Sequence, residues 1–335
     1  MITVTLYRSS DCPLCDQVQA DLDTLQASNP HRLAVVDIDT DPALQERYRT
    51  LVPLVQVGPY RLKSPVSRQE IQVALGAAAD RVGQLEQIGD KEHRQRLDRG
   101  HSVSKLDRFS SWFSTHYMVL INAMLLLYVG LPFLAPVLAK SGMEFPARVI
   151  YTIYKPLCHQ LAFRSWFLFG PQPAYPLELA DVPGLVPYEE VFHEDHFDIT
   201  FARGFIGNDA TGYKVAICER DVAIYGVMAL FGIVFALTGR RIKAVPWYVW
   251  LALGVVPVGF DGVSQLPAFL QFMVDWLPAR ESTPLLRTIT GGLFGLMTAW
   301  YLFPMIESSM RETRVMMSSK VTIVDQLNRA KHEER

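Results

Sequence analysis

The sequence predicts an α/β domain over residues 1–80 followed by an all-α membrane bundle of about four transmembrane helices, and three observations predict it. Up to about residue 79, runs of period-two apolar alternation take turns with runs of helical period. From Asp80 to Arg108 the chain is polar, dense in charge and poor in aromatics. Beyond it come apolar runs near the roughly 20 residues that a helix needs to cross a bilayer. The composition agrees: 20% charged residues beside a positive mean hydropathy means that charge is gathered in a soluble portion. A net charge of −2 over 335 residues lacks the basic excess that would make nucleic acid a partner. Four cysteines are too few for a disulfide-stapled secreted scaffold, so each pair needs its own explanation. No signal peptide is expected, because the first apolar run is short and is broken by Asp11 and Asp16.

In order, residues 2–6 alternate as a strand, 15–25 have a helical period, and 33–38 form a buried strand. Asp41 as N-cap with Pro42 at the first helical position then starts a helix to Arg49. A third strand covers 54–57, and the Gly58-Pro59 turn leads to a fourth over 60–63. Ser67 and Glu70 have capping-box spacing at the head of a last helix over 67–78. The expected order is β-α-β-α-β-β-α, with 81–114 a charged linker or surface helix.

The membrane domain is expected over 115–306, with spans at 117–138, 222–237, 246–260 and 289–306. Arg94, Arg96, Arg99, Lys105 and Arg108 precede the first span. Arg240, Arg241 and Lys243 join the second to the third, and Arg311, Arg314 and Lys320 follow the fourth. With four spans these basic groups share one side, which the positive-inside bias makes the cytoplasm. Both termini, including a tail over 307–335, then lie inside, and the connection 139–221 lies outside. Residues 148–170 are long enough for a fifth span but contain Lys155, His159 and Arg164. Each charge at the bilayer centre costs roughly 2.5–3.5 kcal/mol, so one interfacial or re-entrant helix is expected there.

Two constellations carry chemistry. The first is Cys12-Pro13-Leu14-Cys15, which follows a strand and opens a helix. A helix N-terminus stabilises a thiolate through its dipole and free N–H groups, so Cys12 is the expected attacking thiol and Cys15 the resolving one. A zinc reading needs two more ligands, and His31 stands alone in this region. Val52-Pro53 begins a core strand, where a cis peptide would turn the backbone toward the cysteines. With the strand order, these residues resemble the glutaredoxin-like branch of the thioredoxin fold over residues 1–80. The resemblance implies that residues 12–15 form the active loop and that Pro53 is the family's cis-proline. Leu14 stands where better known members have an aromatic, and no Gly-Gly/Asp element follows Tyr60, which points away from glutathione as partner.

The second constellation comprises Cys158-His159-Gln160, Arg164-Ser165, Cys218-Glu219-Arg220, Asp261-Gly262-Val263-Ser264-Gln265 and Arg287. In the four-span arrangement each lies near the outer end of a span, and ionisable groups at such depth face one another or a cavity. These motifs resemble an uncharacterised family of small prokaryotic membrane proteins, which implies a prokaryotic inner-membrane location and brings no established activity. An acidic, aromatic insertion over 171–213 departs from that pattern and is expected to cover the outer face. Three chemistries stay open: zinc or copper held by Cys158, His159, Cys218 and Asp261; a Cys158/Cys218 disulfide; or a polar network of His159, Gln160, Arg164, Arg220, Asp261, Gln265 and Arg287. His193, Glu194, Asp195 and His196 are a further cluster, expected to be a solvated acidic loop.

Two functions are therefore expected. One is a membrane-anchored thiol–disulfide oxidoreductase acting on a protein thiol substrate, with a quinone or other carrier needed if electrons are to reach the outer cysteines. The other is an accessory subunit of a larger respiratory or photosynthetic membrane complex, in which the soluble domain and outer insertion are docking surfaces. A transporter is disfavoured by the lack of an internal repeat.

Overall fold

The β-α-β-α-β-β-α order is the one the chain adopts. The computed structural model describes residues 2–88, 100, 102–192, 198–265 and 280–333, and side chains are described except at 86 and 330–333. Residues Met1–His116 with Ser308–Arg335 form one unit, and Tyr117–Glu307 form a second. Arg94, Arg96, Arg99 and the cluster His193, Glu194, Asp195 and His196 lie outside the described residues.

In the first unit, β1 (Ile2–Arg8), α1 (Pro13–Leu25), β2 (His31–Asp37), α2 (Pro42–Tyr48), β3 (Leu54–Val57), β4 (Tyr60–Lys63) and α3 (Arg68–Ile88) follow in sequence. The sheet order is β2-β1-β3-β4, with β1 and β2 parallel and the other pairs antiparallel. Alternation along β1 sends Val4 and Leu6 to one face and Tyr7 to the other. The first face packs on Val18, Leu22 and Leu25 of α1 and on Ile71 and Leu75 of α3. The register Tyr7↔Leu54 places the head of β3, and so Pro53, beside the end of β1 where the Cys12 loop begins. Helix α3 starts at a reciprocal capping box: the Ser67 N–H and hydroxyl each donate to Glu70 Oε2 at 2.8 Å, and the Glu70 N–H donates to Ser67 Oγ at 3.3 Å. It runs on to Ile88, past the expected end at 78.

The tail is part of this unit. Val315 and Ile323, on the last helix, pack with Tyr7, Val36 and Leu54 on the second face of the sheet. Gln326 Oε1 accepts the Val35 N–H at 2.6 Å, and its Nε2 donates to the Val35 carbonyl. Because β2 is an edge strand, this side chain occupies the hydrogen-bonding positions that an incoming strand would use. Gln326→Ala is expected to cost about 1–2 kcal/mol, two modest hydrogen bonds, and to speed amide exchange at Val35. Unchanged exchange there would contradict this role.

Among the described residues, three helices are long and apolar enough to cross a membrane. They are α4 (Lys105–Lys140), which begins in the first unit, α8 (Glu219–Leu237) and α10 (Pro284–Glu333). A shorter apolar helix, α9 (Trp247–Val263), corresponds to the expected third span. It contains a π-helical turn over Trp250–Val255 just before Pro257, which has no N–H for the regular ladder. Close approach of α10 to α8 depends on Gly295, where a Cβ would lie 2.2 Å from the Ile224 carbonyl oxygen. Residues 148–170 are not one helix. Helix α5 (Glu144–Tyr154) stops before Lys155-Pro156, and the chain turns into β5 (Ser165–Leu168). Proline lacks a helical donor, and the strand β5 finds its partners in β7 (Gly212–Cys218), which also pairs with β6 (Gly207–Asn208). Within the insertion, the short helix α6 (Tyr188–Phe192) turns its aromatics inward, where Tyr188 and Phe192 pack with Phe163, Phe167, Tyr175 and Phe205, and α7 (Ile199–Gly204) adds the buried Ala202.

Candidate functional sites

At the first site, Cys12 is the N-cap of α1 and Cys15 lies fully buried one turn later. The two are joined as a disulfide, and the Cys15 N–H donates to Cys12 Sγ at 3.2 Å. Pro13 at the first helical position suits a place whose N–H would have no partner. The Val52–Pro53 peptide is cis, as is Ser64–Pro65. The loop ahead of Cys12 is pinned from the short turn after β2: the Ser10 N–H (2.8 Å) and the Ser9 hydroxyl (2.7 Å) donate to Asp39 Oδ2. The Ser10 N–H is the larger cause that holds the Asp39 carboxyl below the usual carboxylate range. Arg8 bonds Asp16 at 2.8 Å and Gln19 at 2.9 Å, fixing the first turns of α1 from the strand. Beside the cysteines runs a groove of about 890 Å³ lined by Leu14, Val18, Pro53, Tyr60, Leu62, Val66 and Val73, with Gln17, Ser64, Ser67, Gln69 and Glu70 among its polar members. No lysine or arginine lines it among the described residues.

The second site gathers at one end of the helices of the second unit. Cys218 caps α8, Asp261 lies near the end of α9, and Arg287 sits in the first turn of α10. Cys158 and Cys218 come together because β5 pairs with β7 in the register Ser165↔Cys218. The Cys218 N–H donates to Cys158 Sγ at 3.3 Å, and both sulfurs are free. The Cys218 thiol, with the N–H groups of Gln160 and Cys218, draws the Cys158 thiol below its ordinary value against the opposing effect of burial. A cavity of about 340 Å³ opens there, lined by both cysteines, His159, Arg164, Arg220, Asp221 and Arg287.

Asp261 does not join the cysteines, contrary to the expected four-residue ligand set. It is taken up by Arg220, by Arg280 at 3.2 Å and by the Ser282 hydroxyl at 3.0 Å. Asp221 stands near the thiols instead, with one ligand atom from each of Cys158, Cys218 and Asp221 within 4.8 Å of the others. His159 lines the cavity but is exposed and outside that cluster. The polar network is centred on residues the sequence did not single out. Glu281 holds Arg164 in a two-pronged pair at 2.8 and 2.9 Å and also bonds Arg287. Arg287 reaches Glu219 at 3.5 Å, and Gln265 accepts from Arg164 at 3.2 Å and Arg287 at 3.4 Å. The only sequence signal for Glu281 is an Arg-Glu-Ser-Thr run just ahead of an apolar helix. Gln160 serves the framework: its side chain donates to the Tyr151 carbonyl at 2.9 Å, and its backbone is left-handed, with φ of 55°.

At the opposite end of α8, Arg240 pairs with Glu307 at 3.7 Å and lies over the Tyr117 ring, whose hydroxyl donates to Glu307 at 2.7 Å. A 19-residue helix separates the two ends by about 28 Å.

Behind the cavity, Lys214 is 1% exposed and is surrounded by backbone carbonyls of Gln160 (2.6 Å), Arg203 (3.1 Å) and Ala202 (3.3 Å). Burial pushes its pKa down to about 7. Between pH 7 and the unfolded value near 10.5, the unfolded chain binds the extra proton, so stability rises with pH across that window. The parent is expected to gain about 3–5 kcal/mol relative to Lys214→Met as pH rises through it. Parallel pH–stability curves for the two proteins in detergent would contradict this.

Comparison with known proteins adds family assignments for the two parts. Residues 3–76 match the glutaredoxin-like domain family (DUF836), and residues 208–301 match the family described as predicted membrane protein (DUF2085). The chain is also 26% identical over 198 residues to an uncharacterized protein of Methanocaldococcus jannaschii, covering 56% of this chain and 91% of that protein.

Proposed function

We propose that this chain, a glutaredoxin-like domain joined to a predicted membrane protein domain, is a membrane-anchored thiol–disulfide oxidoreductase whose working pair is Cys12 and Cys15. The observation that carries the reading is the placement of Cys12 at the N-cap of α1, with the Cys15 N–H aimed at its sulfur and an apolar groove alongside. In the reduced enzyme the Cys12 thiolate attacks a substrate disulfide, forming a mixed disulfide and releasing one substrate thiolate. The Cys15 thiolate then attacks Cys12 Sγ, which closes the Cys12–Cys15 disulfide and releases the second substrate thiol. A cytoplasmic dithiol returns the pair to the reduced form.

The groove favours a protein substrate. Glutathione carries two carboxylates and one ammonium, and the lining offers no cation to receive the excess negative charge. An extended apolar peptide instead finds Leu14, Val18, Leu62 and Val73, and burying each apolar side chain yields about 1.5–3 kcal/mol. In this reading both termini face the cytoplasm of a prokaryotic cell, supported by Lys105 and Arg108 before the first span, Arg240, Arg241 and Lys243 between α8 and α9, and Arg311, Arg314 and Lys320 after the last. The test is reduction of a disulfide-bonded protein by the full chain in detergent with a dithiol donor. Turnover with the protein disulfide that exceeds turnover with oxidised glutathione supports the reading, and no turnover with either overturns it.

A further inference from the structure

We propose that Cys158, Cys218 and Asp221 bind a zinc-class divalent cation, with the fourth coordination position open to the cavity beside them. Neither the Cys12 pair nor its dithiol chemistry is involved. Three separate elements deliver the ligands: the turn after α5, the end of β7 and the first turn of α8. Their ligand atoms already lie within 4.8 Å of one another. Tetrahedral zinc with thiolate bonds of about 2.3 Å sets its ligands about 3.8 Å apart, so small side-chain adjustments close the site.

The surroundings fit a bound cation in two ways. First, Asp221 is the carboxylate left over. Among the described residues, Arg220 is paired with Asp261, and Arg164 and Arg287 with Glu281 and Glu219, so no salt bridge to an arginine of this cavity occupies Asp221. Second, the Cys218 N–H donates to Cys158 Sγ, the outer hydrogen bond that orients a thiolate ligand. Two thiolates and a carboxylate around a divalent ion leave one net negative charge, which the surrounding network offsets, since Arg164, Arg220, Arg280 and Arg287 face only Glu219, Asp261 and Glu281 in their ion pairs among the described residues. The donor set also selects the metal. Two thiolates disfavour calcium and magnesium, and the hard carboxylate favours zinc over copper(I).

The test uses the full chain carrying Cys12→Ser and Cys15→Ser, purified in detergent under reducing conditions and titrated with zinc or cobalt(II). One metal per chain is expected, and cobalt should give thiolate-to-metal charge-transfer absorption with the visible bands of a tetrahedral ion. Cys158→Ser and Cys218→Ser should each weaken zinc binding by more than the roughly 10–100-fold that loss of an outer partner costs, and Asp221→Asn by at least tenfold. Two results overturn the proposal. One is a reduced parent that binds no metal or lacks the charge-transfer band, a measurement that needs no ligand variant to fold. The other is undiminished affinity in Asp221→Asn.

Discussion

Replacing Cys12 with serine is expected to abolish dithiol turnover, by roughly three orders of magnitude or more, while leaving the fold intact. A serine hydroxyl at a helix N-terminus stays un-ionised at neutral pH, so it supplies no attacking anion where a thiol does. Serine is also a preferred N-cap, so the start of α1 keeps its hydrogen bond to the N–H at position 15. The companion substitution separates the two roles. Cys15→Ser keeps the attacking thiol but removes the resolving one, so a covalent complex through Cys12 should accumulate and be released by reductant. Cys15 is fully buried, which is why attack from outside falls to Cys12. Full turnover in Cys12→Ser would place the chemistry elsewhere, and no trapped complex in Cys15→Ser would deny that Cys12 reaches a substrate.

The second large effect is expected at Glu281. Its side chain is 7% exposed and is shared by Arg164 and Arg287, the latter 3% exposed. Glu281→Ala leaves a buried guanidinium whose remaining carboxylate, Glu219, is 3.5 Å away. Breaking a buried pair in this way costs about 3–5 kcal/mol, because the stranded charge keeps its desolvation penalty. For a unit of this size that corresponds to a fall of about 6–20 °C in Tm. Arg148→Ala is the control. Arg148 and Glu144 pair on the surface with side chains 68% and 73% exposed, and such pairs are worth at most a few tenths of a kcal/mol. Equal thermal shifts for the two variants, measured in the same detergent, would show that the Glu281 network is not a buried structural element.

Much of the fold was legible because local signals agreed with the tertiary result. The period-two runs, the Asp41-Pro42 helix start and the Ser67/Glu70 spacing each act within a few residues, and each element forms where its signal lies. The same holds for the long apolar helices, whose hydropathy needs no partner to be read. What escaped was long-range. Residues 148–170 have the length and apolarity of a helix, but the Lys155-Pro156 break and pairing with a strand almost fifty residues further on override that period. The packing of the tail against β2 joins residues 291 positions apart through Gln326, which no sequence pattern announces.

The candidate sites divide in the same way. The Cys12 loop is contiguous, so its spacing could be read directly, whereas Pro53 reaches it through the β1–β3 register. Cys158 and Cys218 are 60 residues apart and meet through the β5–β7 pairing. The carboxylate beside them was harder to choose. Asp221 follows Cys218 by three residues in the first turn of α8 and meets the thiols, whereas Asp261 lies near the end of α9 and is taken up by Arg220.

The Cys12–Cys15 cycle is tested most simply by its redox state in the full chain, followed by thiol alkylation and mass spectrometry through one turnover. After incubation with a dithiol donor both cysteines should be alkylated, and after addition of a disulfide-bonded protein substrate both should be protected again in step with the appearance of substrate thiols. A pair that stays closed under the donor, or that stays reduced while the substrate remains oxidised, would contradict the account.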